Sequence, residues 1–225
     1  MQLPFEDRVE AGRLLTNELA RRKIDPDAVV LAVTRGGVPV GFEVADRLRL
    51  PLDVIVARKV PVPWQPQLTM ATIAGSVRVL DEPMIRELEI ADEDVEMILA
   101  CEQDEMRRRE EFYRGGRPAL DLKGRMALIV DDGLGTGSTM LAAARHARSL
   151  KPARVVIGIP VGPEEACNRV RSEADELVCL AVPGQFFAIG EWYRAFPKVR
   201  DSEVKNLLAE SRRRLESYPA RRSAA

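Results

Sequence analysis

The sequence predicts an α/β fold: a central parallel β-sheet flanked by helices, with a small hood added to it. Three observations carry that expectation. Solid runs of Val, Ile, Leu and Ala recur over residues 29–33, 52–57, 126–130, 155–159 and 177–182, the composition of strands covered on both faces. Segments with helical spacing separate most of them, the alternation that builds a parallel sheet. Two runs end in glycine turns, Arg35-Gly36-Gly37 and Gly133-Leu134-Gly135-Thr136-Gly137, and open parallel sheets bind ligands at such strand ends.

Residues 5–22 carry Val9, Leu15 and Leu19 at helical spacing among charges and predict an amphipathic helix, which Asp25-Pro26 ends. A strand over 29–33, a helix over 38–48 and a strand over 52–57 follow. Pro61, Pro63 and Pro66, with Trp64 among them, mark 60–75 as a long loop, because proline lacks the N–H that a central strand or helix interior needs. Long loops in compact domains are functional or mobile. Residues 76–80 predict a short strand. Asp92, read as an N-cap, opens a charged helix over 92–114 that Gly115-Gly116 and Pro118 stop. Further helices over 138–150 and 163–173 alternate with the last strands. Residues 1–204 then form one domain, and 205–225 a C-terminal helix passing into a disordered tail at 219–225.

A chain of 225 residues with 46% hydrophobic and 31% charged residues describes one soluble globular core with additions. Lys+Arg 34 against Asp+Glu 35 leaves a net charge of -1, which argues against a chain-wide grip on nucleic acid. No apolar run reaches membrane-spanning length, and acids at Glu6 and Asp7 interrupt any signal-peptide pattern. Cys101, Cys167 and Cys179 show no C-x-x-C spacing, and the single histidine, His146, has no evident metal-site partner. The expectation is the cytoplasm, with no metal held directly by the protein.

The segment Ile129-Val130-Asp131-Asp132-Gly133-Leu134-Gly135-Thr136-Gly137-Ser138-Thr139 carries the chemistry. A buried strand delivers two carboxylates to its end. Glycines then let several N–H groups converge on one anion, and the following helix adds roughly half a positive charge at its N-terminus. Thr136, Ser138 and Thr139 offer hydroxyl donors to the same anion. Asp131 and Asp132 would repel a phosphate placed directly beside them, so their use is to accept hydrogen bonds from vicinal hydroxyls nearby. A phosphate next to a diol is a ribose 5-phosphate. The plain alternative is a strand-to-helix turn with capping residues. A Walker-type loop is excluded, because no Lys follows the last glycine.

These residues resemble the motif by which type I phosphoribosyltransferases bind 5-phosphoribosyl-1-pyrophosphate (PRPP). Arg58-Lys59-Val60, Tyr113-Arg114-Gly115-Gly116-Arg117-Pro118 and Leu120-Asp121-Leu122 also resemble a bacterial group of that family with no assigned base, some of whose members are fused to hydrolase domains. The resemblance covers roughly residues 5–204. It implies transfer of 5-phosphoribosyl from PRPP to a small nitrogenous base, with Mg²⁺ bound through PRPP and a homodimeric assembly. The 5-phosphate falls to Gly133, Leu134, Gly135, Thr136, Gly137, Ser138 and Thr139, and the ribose to Asp131 and Asp132. Thr34, Arg35, Gly36 and Gly37 stand where the family has its pyrophosphate loop, often with a cis peptide, and Arg58 and Lys59 could reach the same phosphates. Catalytic candidates are Arg35, Lys59, Asp131 and Asp132. Residues 61–75 match a mobile loop over the site, and the hood comes from the N-terminal region and about 183–200, where Trp192 or Tyr193 could stack on the base. Phe186 and Phe187 read rather as a small satellite core.

One departure narrows the acceptor. Family members that use 6-oxopurines often carry a proton-transferring aspartate in the phosphate loop; Gly135 stands there, which argues against hypoxanthine and guanine. Two rival readings share the loop. Asp131 to Gly137 also fits the D-x-G-x-G-x-G pattern of S-adenosylmethionine methyltransferases, but the next strand ends in Pro160-Val161-Gly162-Pro163 without the acid that would hold the cofactor ribose. A PRPP-binding regulator without transfer activity is the other. His146 reads as a packed or exposed residue, and Arg107-Arg108-Arg109 as a solvated helix face paired with acids.

Overall fold

The computed structural model describes residues 3–218. Helix α1 (Arg8–Leu19) starts later than its apolar spacing implies, because the Asp7 carboxylate accepts from the Glu10 amide at 2.8 Å and so caps it. Strand β1 (Val29–Val33) is buried at every position. It leads through Thr34-Arg35-Gly36 into α2 (Gly37–Leu48) and then β2 (Leu52–Ile55).

Next the structure corrects the sequence reading. Residues 60–75 are not a loop but most of an antiparallel hairpin, β3 (Ala57–Val62) and β4 (Gln65–Ala74), extended by β5 (Val77–Leu80) into a small sheet of order β3-β4-β5. The prolines are tolerated for local reasons. Pro61 sits on edge strand β3 where the register slips on either side of it, Pro63 lies in the turn, and Pro66 is the second residue of β4. Trp64, at the tip, is 57% exposed.

Helix α3 (Glu82–Glu87) follows, capped by Asp81, then α4 (Asp92–Arg114). Asp92 is the first helical residue of α4 rather than its cap; Ala91 holds the cap position, and Asp92, Glu93 and Asp94 place three acids in the first turn. The remaining elements are β6 (Met126–Val130), α5 (Ser138–Ser149), β7 (Arg154–Val161), α6 (Glu164–Arg171), β8 (Glu176–Ala181), a 3₁₀ turn over Ile189–Trp192 and α7 (Asp201–Ser217). Helix α7 is docked through buried Val204 and Leu208. Residues 219–225, expected to be disordered, lie outside the described residues.

The five long strands pair in parallel in the order β2-β1-β6-β7-β8. The chain leaves β1 toward β2 on one side and β6 toward β7 on the other, so the order reverses between β1 and β6. That reversal opens a crevice at the carboxyl ends of these two neighbours, the usual ligand position in open α/β sheets. It is there that β1 delivers Thr34 and Arg35, and β6 delivers Asp131 and Asp132.

The Tyr113-Arg114 pair serves the scaffold. Arg114 Nε donates to both oxygens of the buried Asp53 on β2, at 2.9 and 3.3 Å, and the Leu120 amide donates to the same carboxylate at 2.9 Å. The Tyr113 hydroxyl bonds Asp201, the first residue of α7. The C-terminal end of the long helix is thus tied both to the sheet edge and to the C-terminal helix.

Candidate functional site

The two glycine turns meet backbone to backbone. A Cβ on Gly37 would lie 2.7 Å from the Val130 carbonyl and 2.8 Å from Asp131 Cα, and one on Gly36 would lie 2.1 Å from Asp132 Oδ2. Glycine at both positions is what lets the turn after β1 close on the acidic pair after β6. The Thr34-Arg35 peptide is cis.

The two acids differ in surroundings. Asp132 is 7% exposed. Its Oδ2 accepts from Arg8 Nε at 2.8 Å, and its carbonyl accepts from the buried Tyr193 hydroxyl at 2.6 Å. Arg8 in turn donates to the Pro197 carbonyl at 2.7 Å and lies 3.7 Å from the centroid of the Phe196 ring. Asp131 forms no ion pair among the described residues; its Oδ1 accepts from the Asp132 amide at 2.8 Å. Burial and the neighbouring Asp132 charge push the Asp131 carboxyl well above the usual range. Burial also raises Asp132, while the Arg8 guanidinium opposes it.

Two adjoining cavities share Asp131 and Gly135. One, of about 150 Å³, is walled by Gly133, Leu134, Thr136, Gly137 and Thr139, with Lys59 and Ile189 beside them. The other, of about 690 Å³, runs from Thr34, Arg35, Gly36 and Asp132 to Phe186, Phe187 and Lys198. The small one is lined by the glycine loop that opens α5, and helix N-termini of this kind present main-chain N–H groups to anions. The large one holds the acidic pair together with Arg35. Among the described residues, no group of three or more His, Cys, Asp or Glu is placed to hold a metal.

The sequence profile described as "Phosphoribosyl transferase domain" matches residues 9–193. The chain belongs to this family. Two Mycobacterium tuberculosis proteins, from strains CDC 1551 and H37Rv and provisionally named as phosphoribosyl transferases, are each 43% identical over 210 residues, which is 93% of this chain and 47% of theirs. The chain therefore spans about half the length of these relatives. The crystal structure of TT1426 from Thermus thermophilus is 40% identical, with a TM-score of 0.76 over 92% of this chain and 98% of that one. A structure of the Aquifex aeolicus AQ2163 protein, 12% identical, has a TM-score of 0.50 over 78% of this chain and 74% of that one, and shares the fold alone.

Within this phosphoribosyltransferase domain the structure brings together Thr34, Arg35, Gly36, Asp131, Asp132 and the loop from Gly133 to Thr139. It separates others. Alternation along β3 puts Lys59 toward the phosphate loop and Arg58 on the opposite side, where Arg58 pairs with Glu102 of α4 at 2.8 Å. Lys59 borders the small cavity, away from Arg35. Tyr193 is 5% exposed, its ring 5.4 Å from that of Phe5 and 5.0 Å from that of Phe196, so its faces are already covered. Trp192 stacks on Phe186 at 6.3 Å, outside the lining of the large cavity. The aromatic side chain that stands free at that cavity is Phe187, 84% exposed.

Sequence reasoning missed Arg8, Lys198 and Asp201. Asp201 Oδ1 lies 3.5 Å from Arg35 Nη1 and also accepts from the Tyr113 hydroxyl. No local pattern marks these residues, because each acts across the fold rather than within a motif.

Proposed function

We propose that the chain binds PRPP with its 5-phosphate on the amides of Gly133 to Gly137 and its ribose hydroxyls on Asp131 and the neighbouring Asp132, and transfers the phosphoribosyl group to a nitrogenous base. The single observation that carries this reading is the contiguity of three features at the β1/β6 crevice: phosphate cradle, carboxylate pair and Arg35 loop. In the reaction the anomeric carbon–oxygen bond to pyrophosphate breaks, a carbon–nitrogen bond to the base forms, and the base nitrogen loses its proton. Arg35 and the Gly36 amide face the departing pyrophosphate and stabilise its charge, while Phe186 and Phe187 offer the base an apolar wall. Mg²⁺ fits this site as an ion carried on the pyrophosphate oxygens, where it would neutralise leaving-group charge. Asp132 Oδ2 already accepts from Arg8, which leaves Oδ1 for a ribose hydroxyl rather than for a metal. The family supports a homodimer in the cytoplasm as part of the same reading.

The deciding assay supplies purified protein with PRPP, Mg²⁺ and a nucleobase library and reads pyrophosphate release. Release that depends on one base class is the expected result; PRPP bound without turnover on any base would point to a regulator instead.

Gly135 gives a further expectation. A Cβ there meets nothing within 4 Å, and the residue borders both cavities. Gly135→Asp is therefore expected to fold with a thermal midpoint within about 2 °C of the parent, as surface changes do, and to place a proton acceptor at the sugar–base junction. Wild-type turnover of hypoxanthine is expected to be weak, and that of the variant higher, in the same pyrophosphate assay.

A further inference from the structure

A third cavity, of about 520 Å³, lies on the outer side of the phosphate loop, between the β3-β4-β5 sheet, α3, the N-terminal end of α5 and Arg169 in the last turn of α6. Its lining combines two kinds of chemistry. Lys59, Arg169, Thr136 and Ser138 supply the polar groups. Arg169 Nη1 donates to the Thr136 carbonyl at 3.1 Å, and the Thr136 and Ser138 hydroxyls lie 3.1 Å apart. Neither Lys59 nor Arg169 forms an ion pair among the described residues. The apolar part of the lining is half-buried Leu68, Val79, Met84 and Leu141. Asp81, the one acid in the lining, is spent as the α3 cap, accepting from the Met84 amide at 3.2 Å.

Two unpaired cations with hydroxyl donors take a phosphate dianion. An apolar wall in the same cavity takes a flat ring. We propose that this outer cavity is a second binding site, distinct from the crevice between β1 and β6, for a nucleoside monophosphate. Its phosphate sits between Lys59 and Arg169, and its base lies against Leu68 and Met84. Lys59 and Thr136 border both this cavity and the 5-phosphate cradle. A ligand in the outer site therefore draws on groups that the cradle also uses, and the two sites oppose one another. Because the proposed reaction yields a nucleoside monophosphate, the outer site would report product level to the PRPP site; that coupling rests on the proposed function, whereas the cavity itself does not.

The test is a calorimetric titration of AMP, with adenosine and inorganic phosphate as separate arms, onto the full chain before and after saturation with PRPP and Mg²⁺. AMP is expected to bind the PRPP-saturated protein with one equivalent, about tenfold or more tighter than adenosine because of the charge-assisted contacts. It should bind about fivefold more weakly to the outer site with PRPP present than without it. Met84→Trp and Leu68→Trp, which fill the apolar part of the cavity at residues that line neither cavity of the PRPP site, should each weaken AMP by about tenfold or more while PRPP binding stays as in the parent. Circular dichroism identifies a variant that fails to fold, and the other then serves. No AMP binding once PRPP is saturating, or undiminished AMP binding in the folded tryptophan variants, overturns the proposal. If PRPP itself does not bind, the proposed function fails, and the outer site is still judged by AMP binding to the parent against the two variants.

Discussion

Arg8→Met is expected to destabilise the protein by about 3–5 kcal/mol near pH 8, the range seen when one partner of a buried ion pair is removed. Asp132 is buried and its Oδ2 accepts from Arg8 Nε at 2.8 Å; without the guanidinium, the largest offset to the cost of its charge is gone. The pH dependence has a definite sign. Burial already raises the Asp132 carboxyl, with Arg8 opposing, so loss of Arg8 raises it further above its unfolded value. A folded state that holds its proton more tightly than the unfolded chain loses stability as pH rises. The deficit of the variant should therefore be larger at pH 8 than at pH 5. Urea melts of both proteins at the two pH values measure it, and a deficit independent of pH would show that lost packing against Phe196, not the charge, is what Arg8 supplies.

Gly36→Ala is the second large effect. A methyl group at that position would sit 2.1 Å from Asp132 Oδ2. Carboxylate ends usually yield cheaply, but this one is pinned by Arg8. The variant must either part the pyrophosphate loop from the acidic pair or break the Arg8–Asp132 bond. Overpacking of this kind costs about 1–3 kcal/mol, and either outcome misplaces groups that PRPP needs, with affinity falling about tenfold or more. Because both substitutions act on one carboxylate, Gly36→Ala and Arg8→Met should be non-additive by about 0.5–3 kcal/mol. Additive stability losses would mean that the glycine is required for something other than that contact.

Much of the scaffold was legible because burial on both faces leaves a continuous apolar record. Strands β1 and β6 coincide with the runs at 29–33 and 126–130, and α4 has the bounds its charges and terminal glycines imply. The hairpin was not legible. Its prolines look like strand breakers until it is known that Pro61 lies on an edge strand at a register slip. The short helix α3 did leave a sign, Asp81 followed by Pro83, a cap and an early proline that together mark a helix start.

The site was legible where it is local and hidden where it is not. The strand, acids and glycines from Ile129 to Thr139 sit in one run, so their chemistry can be read in order. The division of labour between the two acids cannot, since it depends on Arg8, 124 positions away from Asp132. The same holds for the aromatic wall. The pattern marks a cluster at 186–196, but only packing shows that Phe5 and Phe196 cover Tyr193 and that Phe187 stands open. Strand alternation, likewise, and not charge, decides that Lys59 rather than Arg58 borders the phosphate loop.

The central claim is that one crevice grips a sugar phosphate by main-chain amides and its hydroxyls by carboxylates. Calorimetric titration of PRPP with Mg²⁺ into the parent protein and into Asp131→Asn tests it directly. The expected result is clear saturable binding by the parent and a loss of about 1.5–3 kcal/mol in the variant, the worth of hydrogen bonds to a charged acceptor. No binding by the parent, or equal affinity in the two proteins, would contradict it.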